Sequence, residues 1–246
     1  MMTGQNHGIF ARGVVASYKG FFRKDVVLRE VSFHPPTAGV FAIVGRNGAG
    51  KTTLFHVLMG FKPIEQGLLL LHGIAPRDFR KRRGVGFVPD GVRFPLGWTV
   101  LDVLRHGVDL TVPSTDRSEA IARAIERTKF TSDALGKRAR SCSRGMQQRL
   151  KLAFAMIGEP SVLLLDEPFI GLDPPSRKAF REEIELARGA GAIILLATHD
   201  LAEVRRMADA VFLLADGAVR SVLKEGPMAR SFEATLEQDI ARGGEP

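Results

Sequence analysis

The stretch Gly45-Arg46-Asn47-Gly48-Ala49-Gly50-Lys51-Thr52 fits G-x-x-x-x-G-K-[ST], the pattern of a phosphate-binding loop. Its flanks suit that pattern. Val40-Phe41-Ala42-Ile43-Val44 is an unbroken apolar run that reads as a buried parallel strand. Thr53-Leu54-Phe55-His56-Val57-Leu58-Met59 reads as a helix closed by Gly60. Glycines at these spacings let backbone N–H groups curl around phosphate oxygens with no Cβ in the way. The helix that follows turns its positive end toward the same anion. The phosphate-binding candidates are therefore Gly45, Asn47, Gly48, Gly50, Lys51, Thr52 and Thr53. Lys51 is expected to reach the β- and γ-phosphates, and the Thr52 hydroxyl to ligate Mg²⁺. A glycine-rich turn with a chance lysine is the competing reading, and the strand and helix argue against it.

Outward from this loop, 246 residues suffice for one domain, or for one domain carrying an inserted subdomain. No apolar run approaches the roughly 20 residues of a membrane helix. Met1 to Gly8 is polar and lacks the apolar centre of a signal peptide. One cysteine, Cys142, excludes an internal disulfide and suits a reducing compartment. The net charge of +8 gathers in two groups, Arg77 with Arg80 to Arg83, and Lys137 to Lys151. Such charge favours nucleic acid, an anionic membrane or a nucleotide, or is simply a solvated arginine-rich surface. The aromatic residues of a nucleic-acid stacking platform are missing, with one Trp and one Tyr in the chain.

Residues 9–16, 26–34, 67–72 and 84–88 read as further strands. From Asp90 to Gly158 the pattern turns helical, with candidates over 100–106, 116–129 and 144–157. Asp116, with Glu119 three residues on, has the form of an N-cap. Short apolar runs then return at 162–165 and 192–197, separated by a helix over 176–188 with Gly189 as its stop. A last strand pair, 210–214 and 218–222, is joined by the turn Asp216-Gly217. The tail 226–246 is polar. This is an α/β chain: a P-loop core on a mainly parallel sheet, an N-terminal antiparallel β region and an inserted helical subdomain, 90–158, within a single domain spanning 1–246.

Ligands of open parallel sheets lie beyond the carboxyl ends of the strands. The run Val162-Leu163-Leu164-Leu165 ends in Asp166-Glu167-Pro168. Asp166 there suits a Mg²⁺ ligand, and Glu167 a general base for an attacking water. The strand 192–197 ends in Thr198-His199-Asp200, where an imidazole could meet the γ-phosphate. A histidine at a strand end is also commonly structural.

With these residues assembled, the chain resembles the ATP-binding subunit of an ABC transporter over nearly its whole length. Its most diagnostic stretch is Cys142-Ser143-Arg144-Gly145-Met146-Gln147-Gln148-Arg149, similar to the family signature L-S-G-G-Q-x-Q-R. Ser143, Gly145, Gln148 and Arg149 match; Cys142, Arg144 and Met146 depart. Gly171-Leu172-Asp173-Pro174 resembles the D-loop, His199 falls on the switch histidine, and Tyr18 on the adenine-stacking aromatic. Tyr18 reads equally as a strand aromatic in the core, with Phe21 or Phe22 able to replace it. After Val88-Pro89 the family places glutamine, and this chain has Asp90, still able to ligate Mg²⁺ or a water.

The resemblance implies that ATP, with Mg²⁺, is shared between two ATPase subunits, homo- or heterodimeric. Ser143 and Gly145 of one subunit would meet the nucleotide in the loop of the other. Catalysis would rest on Lys51, Glu167 and His199; nucleotide contacts would add Tyr18 and Asp173; Thr52, Asp90 and Asp166 would serve the metal. It further implies a cytoplasmic protein held on the inner face of the membrane by a separate transmembrane permease, with no nucleic acid as partner. The form Ser143-Arg144-Gly145-Met146 resembles a variant seen in exporters. A soluble superfamily ATPase acting on nucleic acid or ribosomes is the alternative. It would ordinarily show a long coiled-coil insertion or two cassettes in one chain. A GTPase or small-molecule kinase would leave the signature unexplained.

Overall fold

The computed structural model describes residues 8–20, 24–35, 38–82 and 84–224. These divide into two compact units, one within Met1–Arg82 and Ile193–Pro246, the other within Arg83–Ala192. Phe21, Phe22, Arg83 and the tail 226–246 lie outside the described residues.

In the first unit, β1 (Ile9–Lys19), β2 (Lys24–Phe33) and β4 (Gln66–Leu71) form an antiparallel sheet in the order β2-β1-β4. This is the antiparallel N-terminal region expected from the sequence. A second set of strands is built around β3 (Gly39–Val44), which pairs in parallel with β7 (Ile193–Ala197) on one side and β8 (Ala210–Ala215) on the other. All residues of β3 and β7 are buried, which is why both read as continuous apolar runs rather than alternating ones. β9 (Ala218–Lys224) returns antiparallel to β8 through Asp216 and Gly217, both at positive φ (50° and 76°) as a tight hairpin turn requires.

Specific contacts join these layers. The rings of Phe33 and Phe212 meet edge-on at 5.3 Å. The β8–β9 turn is stitched to β2: Arg29 N–H donates to Gly217 O at 2.7 Å, and a Cβ at Gly217 would fall 2.1 Å from Val27 O. The helices of this unit are α1 (Lys51–Leu58), α2 (Pro76–Lys81) and α8 (Leu201–Met207). Gly60, at φ 66°, ends α1 as expected, and a Cβ there would strike Arg77 N at 2.6 Å.

In the second unit, β5 (Val85–Val88) and β6 (Val162–Asp166) run parallel, with Val88 opposite Leu165. The helices are α3 (Val100–Thr111), α4 (Arg117–Thr128), α5 (Ser132–Leu135), α6 (Arg144–Ala155) and α7 (Pro174–Gly189). Val100, Leu104, Val108, Ala124, Leu150 and Ala153 form the heart of a separate apolar cluster. Each large member contributes about 1.5–3 kcal/mol by leaving water. α6 lies close on β5, since a Cβ at Gly86 would meet Ala155 O at 2.2 Å.

Local signals that depend on tertiary neighbours came out differently from the pattern. α3 runs five residues past the expected His106 and starts with a Thr99/Asp102 capping box. Asp116 makes no side-chain cap; it ends a short 3₁₀ turn, Ser114–Asp116, while Glu119 pairs with Arg123 instead. α7 begins at Pro174, capped by Asp173, and runs through Gly189 rather than stopping before it. α2 and α8, at 6 and 7 residues each short of two turns, carry too little periodicity to be read from sequence. Among the described residues, no helix is long and apolar enough to cross a membrane.

Candidate functional site

The first unit carries the phosphate-binding loop. Gly48 and Gly50 adopt φ of 84° and 106°, left-handed values that favour glycine, and Gly50 caps α1. Gly45 is needed for a different reason: a Cβ would fall 2.2 Å from Leu214 O of β8. Lys51 is buried, and its ammonium donates to Gly45 O at 2.6 Å and Arg46 O at 3.1 Å. The cation is thereby held over the loop rather than left in solvent. Asn47 and Thr52 are exposed at the loop, and Thr53 is buried beneath it.

The same unit brings His199 and Tyr18 to this loop. Thr198 N–H donates to Ile43 O at 3.3 Å, so the end of β7 is fastened beside the strand that enters the loop. His199 follows and is exposed, and Asp200 caps α8 by accepting from Ala202 N and Glu203 N. Tyr18, on β1, stands opposite Asp25 of β2. Two to three residues further along β2, Val27 and Leu28 lie under Gly50, where a Cβ would come within 3.0–3.4 Å of them. At about 3.3 Å per residue, Tyr18 is thus roughly 7–10 Å along the strand from the loop. Tyr18 is 42% exposed, which removes the reading of it as a core aromatic.

The second unit holds the acidic strand ends and the signature. Asp166 is the buried last residue of β6, and Glu167 follows at φ 46°. A glutamate in that region is strained, and such strain collects at functional positions. Asp90 lies two residues beyond β5, past the same end of the β5–β6 pair as Asp166. The Lys151 ammonium of α6 is near enough to feel it: burial lowers the Lys151 pKa, and the Asp90 charge opposes that shift.

Ser143 caps α6 by accepting from Met146 N at 3.2 Å. Gly145 presses against α7 so closely that a Cβ there would fall 2.3 Å from Ser176 Oγ. Asp173 in turn accepts from Ser176 N–H at 3.2 Å. Hydrogen bonds from the Ser176 side chain and backbone hold its carboxyl below the usual range. The signature and the D-loop stretch therefore form one constellation, Ser143-Gly145-Ser176-Asp173. Ser176 was not read from the sequence; the only hint was a glycine one position from a helix start. Arg144 packs its guanidinium 2.9 Å from where a Cβ at Gly171 would stand. Cys142 is buried, and burial pushes its thiol pKa up.

Among the described residues no three or more His, Cys, Asp or Glu side chains cluster into a metal cage. Each unit has oxygen donors of its own: the Thr52 hydroxyl in the first, and the single carboxylates of Asp90 and Asp166 in the second. Hard oxygen donors of this kind are the type that Mg²⁺ takes.

A family profile described as ABC transporter matches residues 28–170. The chain is 32% identical over 215 residues to YdbJ, an uncharacterized ABC transporter ATP-binding protein of Bacillus subtilis, covering 86% of this chain and 69% of that one. It is 32% identical over 222 residues to the Nod factor export ATP-binding protein I of Mesorhizobium japonicum, covering 88% and 63%. It is 33% identical over 227 residues to the Fe(3+) ions import ATP-binding protein FbpC of Yersinia pestis, covering 89% and 63%. In fold it matches a dimeric post-hydrolysis ATP-binding cassette bound to ADP and Pi, with a TM-score of 0.78, 20% identity and coverage of 89% and 99%.

Proposed function

The chain belongs to the family of ABC transporter ATP-binding proteins, and from that premise we propose that it hydrolyses ATP to drive a separate transmembrane permease, by closing and reopening a dimer of ATPase subunits. The observation that carries this reading is the buried Lys51 held over a loop whose Gly48 and Gly50 open it to anions.

In this proposal the loop N–H groups and the start of α1 bind the triphosphate, and Lys51 follows the charge that builds on the γ-phosphate. Thr52, Asp166 and Asp90 are the proposed metal-holding residues; Mg²⁺, when bound, neutralises phosphate charge. Glu167 takes the proton of the attacking water, and His199 orients the γ-phosphate. Ser143 and Gly145, with Asp173, serve the nucleotide held by the second subunit. Tyr18 receives the base. The helical region 90–158 passes the motion to the permease, which places the protein on the inner membrane face. The Ser143-Arg144-Gly145-Met146 signature favours export as the direction; the names of the relatives include both export and import.

ATP turnover by the purified chain, with and without Lys51→Ala, tests the proposal. Retained turnover in the variant removes the site assignment. Salt-sensitive nucleic-acid binding lost on neutralising Arg80 to Arg83 would favour the nucleic-acid alternative instead.

A further inference from the structure

We infer that Lys62 is a positioning residue for the nucleobase, acting through Tyr18: its ammonium covers one face of the phenol ring and leaves the other for a flat aromatic base. The inference rests on the reading of Tyr18 as the base-stacking residue. Lys62 Nζ lies 4.1 Å from the centroid of the Tyr18 ring, well inside cation–π range.

The contact is built from both sides. On one side, Phe61 N–H and Lys62 N–H both donate to His56 O, at 2.9 and 3.1 Å, which ties Lys62 to the end of α1. On the other, Glu65 N–H donates to Val15 O at 2.8 Å, and the Glu65 carboxylate accepts from the Ser17 hydroxyl and pairs with Lys24. Residues 61–65 are therefore clamped between the phosphate-loop helix and the strand that carries Tyr18. Glu65 also lies close enough for its charge to interact with Lys62, so the ammonium faces the ring with a counter-charge nearby.

The chemistry follows from the ring quadrupole. A cation on one face draws π density toward itself, and the opposite face becomes a better partner for an electron-rich purine. The same contact holds the ring in place, so less freedom is lost when the base stacks. Lys51 opens α1, and Lys62 lies four residues past the end of the same helix. The grip on the base and the grip on the phosphates are thus set by one helix.

The test measures binding of ATP and of inorganic tripolyphosphate, both with Mg²⁺, to the full chain by calorimetry. The variants are Lys62→Met, Tyr18→Ala and the pair together. The methionine keeps the apolar stem and removes the charge. Lys62→Met is expected to weaken ATP about three- to tenfold and to leave tripolyphosphate unchanged. In the Tyr18→Ala background the same substitution should have no further effect. Tighter or unchanged ATP binding in Lys62→Met overturns the inference, because the lysine would then compete with the base or ignore it. Equal loss for ATP and tripolyphosphate also overturns it, since Lys62 would be serving the phosphates. If Tyr18→Ala weakens ATP while Lys62→Met does not, the inference alone fails. If Tyr18→Ala leaves ATP binding intact, the base-stacking reading fails and takes the inference with it.

Discussion

Gly145 and Ser176 stand so close that no side chain fits between them: a Cβ on Gly145 would lie 2.3 Å from Ser176 Oγ and 3.0 Å from its Cβ. Ser176 is also the residue that hydrogen-bonds Asp173. Gly145→Ala is therefore expected to swing the serine away and release Asp173. ATP turnover should fall on the order of 10²-fold, as misplacement by about 1 Å does elsewhere. Adding Ser176→Ala removes the nearest atom and should recover part of the loss. Steady-state phosphate release checks both variants. If Gly145→Ala turns over at the parent rate, the constellation has no part in the reaction.

Lys51→Ala removes a cation held inside the loop. Loss of a preorganised donor of this kind costs about 10²–10³-fold in rate. Turnover should drop accordingly, while the melting temperature changes little, because Gly45 O and Arg46 O are loop carbonyls that water can solvate once the side chain is gone. Activity assays run beside thermal melts separate the two effects.

Glu167 yields two predictions with opposite signs. Glu167→Gln keeps the shape and removes the base, so hydrolysis should fall about 10²–10⁴-fold and the ATP-bound dimer should persist in light scattering. Glu167→Gly should also end turnover yet raise stability by about 1 kcal/mol, because glycine accepts a φ of 46° without strain. Denaturant titration of Glu167→Gly reads the second effect. A loss of stability would mean that the glutamate side chain is held by contacts worth more than the strain.

Much of this was legible in advance, and the reason is physical. Continuous apolar runs such as Val40 to Val44 suit strands buried on both faces. A glycine-spaced loop before a helix has few uses other than anion binding. Ser143 stands directly before the helix expected over 144–157, and capping is local enough to follow from that position. What sequence could not supply was contact between distant segments. Ser176 gains its role from Gly145, which precedes it by most of a helix and a whole strand, and Lys62 from Tyr18. Asp116 holds the expected N-cap position of α4, but its side chain makes no cap bond, since it closes a 3₁₀ turn in which Asp116 N–H returns to Pro113 O.

Glu183 on α7 makes stability depend on pH. Only 4% of the residue is exposed, and its Oε2 has no hydrogen-bond partner among the described residues. Burial raises its pKa above 4.5, opposed by Lys129, whose Nζ is 3.9 Å from Oε1. The folded state therefore holds this proton more tightly than the unfolded chain. Its stabilising contribution is complete below the ordinary glutamate range and is lost as pH rises through the elevated value. Glu183→Gln should flatten the fall in stability over that window, as read by urea midpoints across pH. An unchanged pH profile would show that the carboxylate ionises in the fold without cost.

The β8–β9 hairpin touches the first unit's ligand surface at two places, with Leu214 O against Gly45 and Gly217 against Val27. That double anchorage makes the hairpin a brace with a fixed span. The loop that takes the phosphates and the strand pair that carries Tyr18 cannot drift apart without tearing the brace from one of them. On the roles proposed for the loop and for Tyr18, the distance from phosphates to base is then part of the architecture before any nucleotide arrives, and little binding energy is diverted into shaping the protein.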